Sequence, residues 1–195
     1  MIITISGAIG SGKSSVSRAL AKQLKYRQLD VGHLRRAEAT KRGLTLHAFN
    51  AWAEAHPDAG DRAFDKALVK EARKYPNLVL SSRTAFHFFP RAFNVFLDVA
   101  PREGARRVLA DQKNRKNEVG ELPTLTQIMK INKQRVKSDT RRYKRLYGVN
   151  VFLRKQYSFV LDTTKIPLRQ VISKVKKAYR EWEGSRSEIV YVKNS

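Results

Sequence analysis

Met1-Ile-Ile-Thr-Ile-Ser-Gly-Ala-Ile-Gly-Ser-Gly-Lys-Ser14 carries an apolar run straight into Gly7-x-x-x-x-Gly12-Lys13-Ser14 and from there into helical spacing. Strand, glycine-rich loop and helix in that order make a phosphate-binding loop. The glycines let the backbone from Gly7 through Ala8, Ile9, Gly10, Ser11 and Gly12 to Lys13, Ser14 and Ser15 curl with its N–H groups around an anion. The helix that opens at Lys13 adds the positive end of its dipole. In such a loop the Lys13 ammonium reaches the β and γ phosphates and the Ser14 hydroxyl ligates magnesium. The pattern predicts a bound nucleoside triphosphate.

The rest of the chain is long enough to bury one sizeable core: 195 residues, 42% of them hydrophobic. A single domain with mobile insertions is expected. The absence of cysteine rules out disulfides and thiolate metal sites and fits a reducing compartment. No apolar stretch approaches membrane-spanning length, and Met1–Ser6 reads as a core strand rather than a cleavable leader. A monomeric cytoplasmic protein without a membrane partner is the expectation. The 40 Lys and Arg against 17 Asp and Glu give a formal charge of +23, which points to anionic partners. Nucleic-acid association would use such an excess through counterion release. A general basic bias explains it slightly better, because the cations are spread along helical faces.

Along the chain, Ile2–Ser6 reads as a buried parallel strand, and Val16, Leu20 and Leu24 fall on one face of the helix that follows. A short strand near Arg27–Leu29 leads into Asp30-Val-Gly-His, and helical patterns cover Leu34–Lys41, the segment containing Leu46, Phe49 and Trp52, and Asp61–Lys74. Leu78–Leu80, Phe93–Leu97 and Phe159–Leu161 read as further strands, with helices from Pro101, over Leu125–Leu146 and over Pro167–Trp182. The polar stretch between Asp111 and Pro123 reads as a mobile loop, and Ile189–Val192 in the tail as a short strand. Alternating strands and helices predict a parallel sheet covered on both faces, with ligands at the carboxyl ends of its strands. That places Gly7–Ser14, Asp30–Arg36, Ser81–Arg83 and Asp98 near one crevice. His33, His47, His56 and His87 are dispersed, with no pair at metal-ligand spacing.

With these residues in view, the chain resembles the nucleoside monophosphate kinases, most closely the archaeal-type cytidylate kinases, over roughly residues 1 to 180. Asp30-Val31-Gly32-His33-Leu34-Arg35-Arg36 is similar to the family's Asp/Ser-x-Gly-x-x-aromatic-Arg. Leu44-x-Leu46-x-x-Phe49, Ala53-Glu54-x-His56-Pro57 and Asp61-x-x-Phe64-Asp65 look like its helical monophosphate-binding excursion. Arg135-x-x-Ser138-Asp139-x-x-Arg142-Tyr143-x-x-x-Tyr147-Gly148-Val149-Asn150 resembles the end of its lid and the helix behind it.

The resemblance implies an α/β fold, the three-layer α/β/α architecture of P-loop NTPases, with a parallel five-stranded sheet, a helical monophosphate-binding insertion and a lid. One kinase domain is expected over residues 1–184: core 1–32, 76–107 and 147–184, insertion about 33–75, lid and following helix about 108–146, then a tail over 185–195. The implied reaction moves the γ-phosphate of ATP to CMP or dCMP, with Mg2+ held by Ser14 and by Asp30 through water. Asp30, Gly32, Arg36 and Arg83 are implied to bind the monophosphate. Lys13, Arg83, Arg135 and Arg142 are implied to be catalytic, with Arg106 or Arg107 opening the lid.

Phosphoryl transfer explains the arginines. Two polyanions must be brought together, and the transition state spreads charge over the equatorial oxygens of the moving group. Alignment and positive charge do most of the work, and a planar guanidinium grips two phosphate oxygens at once. The chain departs from the family at three places. Ser81-Ser82 precede Arg83 where an acidic residue and a glycine are common, Arg35 stands where an aromatic is expected, and Leu68 replaces a common glutamine. A reading from another class is a nucleotide-binding protein of little activity that associates with RNA or a ribonucleoprotein through its basic surface. A kinase of another small molecule, such as shikimate or a nucleoside, shares the loop but leaves Arg135–Asn150 unexplained.

Overall fold

The computed structural model describes residues 1–111, 113 and 123–191, the last six by their backbone alone. Five strands, β1 (Ile2–Gly7), β2 (Arg27–Asp30), β3 (Leu78–Ser81), β4 (Phe93–Asp98) and β5 (Phe159–Asp162), pair in the order β2-β3-β1-β4-β5. Every pairing is parallel. Parallel neighbours need crossover segments, which cover both sheet faces, so the central strands are apolar on both sides. Ile3 and Ile5 of β1, Val79 of β3, and Phe93, Val95 and Leu97 of β4 enter one core. Helices α1 (Lys13–Leu24) and α8 (Leu168–Tyr191) close that side with Val16, Leu20, Val171, Val175 and Tyr179.

The period-two alternation of a strand sends the intervening residues to the opposite face. There Leu78 and Leu80 meet Leu68 and Ala72 of α4 (Ala63–Ala72) and Ala85 of α5 (Ala85–Phe88). Phe96 meets Phe86, Tyr157 and Tyr143, the last from α7 (Leu125–Tyr147). The polar Thr4 on this face is satisfied by Asn94, at 2.5 Å. The helical excursion between β2 and β3 comprises α2 (Val31–Lys41), α3 (Leu46–Ala55), a π-helical turn (Asp58–Arg62) and α4. Local chemistry starts these helices: Asp30 accepts from His33 N, Thr45 from Ala48 N, and Thr124 with Gln127 forms a reciprocal capping box on α7. Pro101 occupies the first turn of α6 (Pro101–Ala110), as expected.

The helix anticipated over Asp61–Lys74 is the end of the π-helical turn running into α4, and just before it Gly60 leaves helical geometry (φ −96°, ψ −105°) to let the turn press on α3, where a Cβ would lie 2.6 Å from Ala53 Cα. Two expectations need correcting. The helix anticipated from Leu34 begins at Val31, since the Asp30 cap satisfies its first turn. The tail residues read as a strand from Ile189 are helical through Tyr191, with α8 propagating past the β-branched pair; Val192 lies outside the described residues. Of the stretch read as a mobile loop between Asp111 and Pro123, residues 112 and 114–122 lie outside the described residues.

Candidate active site

The phosphate loop is bent by close approaches that only glycine allows. Gly7 has φ +147°, and a Cβ there would sit 2.1 Å from the carbonyl oxygen of Leu97 in β4. Gly10 (φ +78°) lies against Gly104 of α6, its would-be Cβ 2.2 Å from the Gly104 carbonyl oxygen, while a Cβ on Gly104 would meet the Ile9 carbonyl oxygen at 2.5 Å. The loop therefore packs backbone to backbone on α6. Lys13 folds over it, its Nζ donating to the carbonyls of Gly7 (3.0 Å) and Ala8 (2.6 Å). Thr163, at the exit of β5, supports the loop from below by donating to the Ser11 carbonyl at 3.3 Å.

A cavity of about 540 Å³ opens at the carboxyl ends of the strands, between this loop, the excursion and α7. Its walls include Lys13, Ser14, Ser15, Arg18, Asp30 and Gly32, and four arginines from three different regions, Arg36, Arg83, Arg135 and Arg142. Gly32 keeps room for this wall, since a Cβ there would stand 3.2 Å from the Asp30 carboxylate and 3.5 Å from the Arg36 guanidinium.

Beneath the wall runs a buried chain of charges. Arg35 Nη1 donates to Asp61 Oδ1 at 2.7 Å, and Arg35 Nη2 to Asn50 Oδ1 at 3.0 Å. Asp61 Oδ2 faces Arg142 Nε at 3.1 Å, Arg142 Nη2 donates to Asp139 Oδ1 at 2.7 Å, and Asp139 Oδ2 meets Arg83 Nε at 2.6 Å. Arg83 then reaches back to the Gly7 carbonyl at 3.3 Å. Asp61 and Asp139 are at most 2% exposed, as is Arg142. Burial works to raise the Asp139 carboxyl, but Arg83, Arg142, Arg135 and Arg35 outweigh it and hold it below the ordinary range. Burial likewise works against the Arg142 charge, and Tyr143, Asp139 and Asp61 more than offset it. Among the described residues Arg142 Nη1 is a buried donor without a hydrogen-bond acceptor, and both Arg142 and Arg135 line the cavity. Three guanidiniums on two carboxylates leave this region cationic, which suits a polyanionic ligand.

A second polar cluster sits at the excursion end. Asp65 accepts from the Thr84 hydroxyl at 2.9 Å and from the Tyr147 hydroxyl at 2.7 Å, and Ser82 Oγ accepts from the Thr84 backbone N–H at 3.2 Å. Burial pushes the Asp65 carboxyl above its ordinary range despite these bonds.

Comparison with known proteins decides the family. A family model described as "AAA domain" matches residues 3–123. The chain is 32% identical to the cytidylate kinase of Pyrococcus abyssi, over 91% of this chain and 93% of that protein. It is 30% identical to the cytidylate kinase of Methanocella arvoryzae, over 93% of this chain and 98% of that one. The chain belongs to the nucleoside monophosphate kinases. It is also 31% identical to an S-adenosylmethionine-dependent nucleotide dehydratase of Lacinutrix mariniflava over 92% of this chain, but spans only 36% of that longer protein. Among solved structures, the shikimate kinase of Bacteroides thetaiotaomicron superposes with a TM-score of 0.62 at 17% identity, covering 91% of this chain and 97% of that one, a likeness of fold alone.

In this kinase the structure brings Ile9, Gly10, Gly12, Lys13, Ser14, Ser15, Asp30, Gly32, Arg36, Arg83, Arg135 and Arg142 to one cavity. Gly7, Ala8 and Ser11 lie behind its wall, giving their carbonyls to Lys13 and Thr163. The two lid candidates are elsewhere. Arg106 is exposed and paired with Glu103, and Arg107 spans Glu103 and the Thr163 and Thr164 carbonyls, fastening α6 to the exit of β5. Neither lines the cavity: the Glu103 pair holds Arg106 at the surface, and Glu103, Thr163 and Thr164 take up the Arg107 guanidinium. Sequence reasoning passed over Asp61, Asp65 and Gly104 as site residues and treated Arg35 only as a departure. A carboxylate followed four residues later by another was the available signal for the first two.

Proposed function

We propose that this kinase transfers the γ-phosphate of ATP to CMP or dCMP. The observation that supports the reading best is that Lys13 and the phosphate loop share one cavity with Arg36, Arg83, Arg135 and Arg142, drawn from separate parts of the chain. In this reading Lys13 leaves the Gly7 and Ala8 carbonyls to follow the β and γ phosphates. Arg36 and Arg83 clamp the acceptor phosphate, and the Arg135 and Arg142 guanidiniums at the cavity wall serve the group in flight. Arg83, held by Asp139 and Gly7, ties the acceptor clamp to the loop, so donor and acceptor are fixed relative to one another.

The donor set fits magnesium. Among the described residues no group of three or more His, Asp or Glu forms a cage for a metal ion. Mg2+ keeps its waters and takes phosphate oxygens with one or two protein ligands, which the Ser14 hydroxyl and, through water, Asp30 supply. When bound, the ion would neutralise the donor phosphates and orient the terminal one. Ser81 stands where a carboxylate is common, and Ser82, where a glycine is common, holds Thr84.

The test is transfer from ATP to a panel of CMP, dCMP, UMP, AMP and GMP. Transfer to CMP or dCMP is expected to fall at least about a hundredfold in Lys13→Ala. Absence of transfer to every monophosphate, with ATP still bound, would overturn the assignment.

A further inference from the structure

The phosphate chemistry leaves one buried carboxylate of the cavity unused. Asp65 of α4 is 6% exposed, lines the cavity, and is fixed from two sides by Thr84 and Tyr147. Each carboxylate oxygen has two lone pairs and each accepts one bond here, so Asp65 keeps acceptor capacity towards the cavity. Donors stand beside it. Arg35 and Asn50 line the same end, and the bond from Arg35 Nη2 to Asn50 Oδ1 orients the amide so that its Nδ2 is the group left to donate. Leu46 and the Tyr143 ring supply apolar surface there. All but Thr84 and the tyrosines come from the helical excursion, away from the loop that faces the donor phosphates.

An acceptor flanked by donors is the complement of a base edge that presents an exocyclic amino group next to a ring nitrogen and a carbonyl oxygen. Cytosine presents that edge. Uracil puts a carbonyl oxygen where cytosine has its amino group, and so would set two acceptors against each other. Resting on the proposed monophosphate kinase reading, we infer that Asp65 is the specificity-determining residue for the acceptor base, accepting from the cytosine amino group and excluding uracil. Thr84 and Tyr147 are its positioning residues, and Ser82 acts through Thr84. The Ser81-Ser82 departure thereby gains a purpose: its hydroxyl sets the turn that aims Thr84 at Asp65.

The experiment compares kcat/KM for CMP and for UMP in the wild type, Asp65→Asn and Tyr147→Phe, with calorimetric binding of both monophosphates to each protein. The wild type is expected to favour CMP. Asp65→Asn, which can present an amide donor in the same shape, is expected to lower the CMP-to-UMP ratio at least about a hundredfold while leaving the KM for ATP unchanged. Tyr147→Phe, which keeps the charge, is expected to retain the preference with weaker binding. If Asp65→Asn turns over too slowly to assay, the ratio of its binding constants gives the same readout. A ratio unchanged within about threefold, or an equal loss for both monophosphates, would make Asp65 a structural residue and overturn the inference. A wild type that phosphorylates no monophosphate would instead overturn the kinase assignment on which it rests.

Discussion

Replacing Asp61 with asparagine tests whether the charge chain under the cavity is a dry, coupled unit. The substitution keeps the shape and an oxygen for Arg35 Nη1, now 2.7 Å away, but removes the negative charge that faces both Arg35 and Arg142. Arg142 and Arg83 would then share Asp139, while Arg35 would keep the neutral oxygens of Asn50 and of the new amide, and Asp61 is fully buried, so water offers no replacement. Breaking a buried pair by removing one partner costs about 3–5 kcal/mol, a large part of the roughly 5–15 kcal/mol that stabilises a domain. With an unfolding slope of about 2 kcal/mol per molar urea, the midpoint should fall by about 1.5–2.5 M. The assay is urea unfolding followed by the fluorescence of Trp52 and Trp182. A double-mutant cycle with Arg35→Met should return a coupling of about 1–3 kcal/mol. A loss below about 1 kcal/mol, or additive effects of the two changes, would show that solvent screens the chain and refute the reasoning.

Gly104→Ala should damage nucleotide binding from outside the phosphate loop. Its Cβ would press on the Ile9 carbonyl, and overpacking of this kind costs about 1–3 kcal/mol, so ATP affinity and thermal stability should fall together. An unchanged ATP affinity in titration would show that the loop does not need this contact. Asp65 should also give the protein a pH signature. Its folded-state carboxyl is raised, so its contribution to stability is present below the unfolded value and is lost as pH rises through the folded one. Tyr147, Asp61 and Arg35 are the ionisable groups that face it. The stability of the wild type relative to Asp65→Asn should therefore decline as pH rises from the ordinary carboxylate range through the raised folded-state value, measured by urea midpoints, and a difference that grows with pH would contradict the assigned sign.

The sequence by itself determined the phosphate loop, because that feature is local. Glycines, Lys13 and Ser14 sit within eight residues of one another between a strand and a helix, and the geometry follows from backbone chemistry. Short apolar runs and helical spacing located the five strands and nearly all the helices, since burial on both sheet faces writes itself into the apolar pattern. Arg36 and Arg83 were legible for the same reason, as cations just past strand ends, where a parallel sheet places its ligands. What only the tertiary structure decided is which charges meet. Arg35 and Asp61 are 26 residues apart, Asp65 and Tyr147 are 82 apart, and the π-helical turn that buries Asp61 has no periodic signature. Arg106 and Arg107 are adjacent to each other and equally basic, yet one takes a surface pair and the other anchors the β5 exit. A basic residue looks the same in a sequence whether its guanidinium meets solvent, a buried carboxylate or a ligand. The partner is chosen by packing between distant segments, and in a low-dielectric interior that choice decides the energy of the charge.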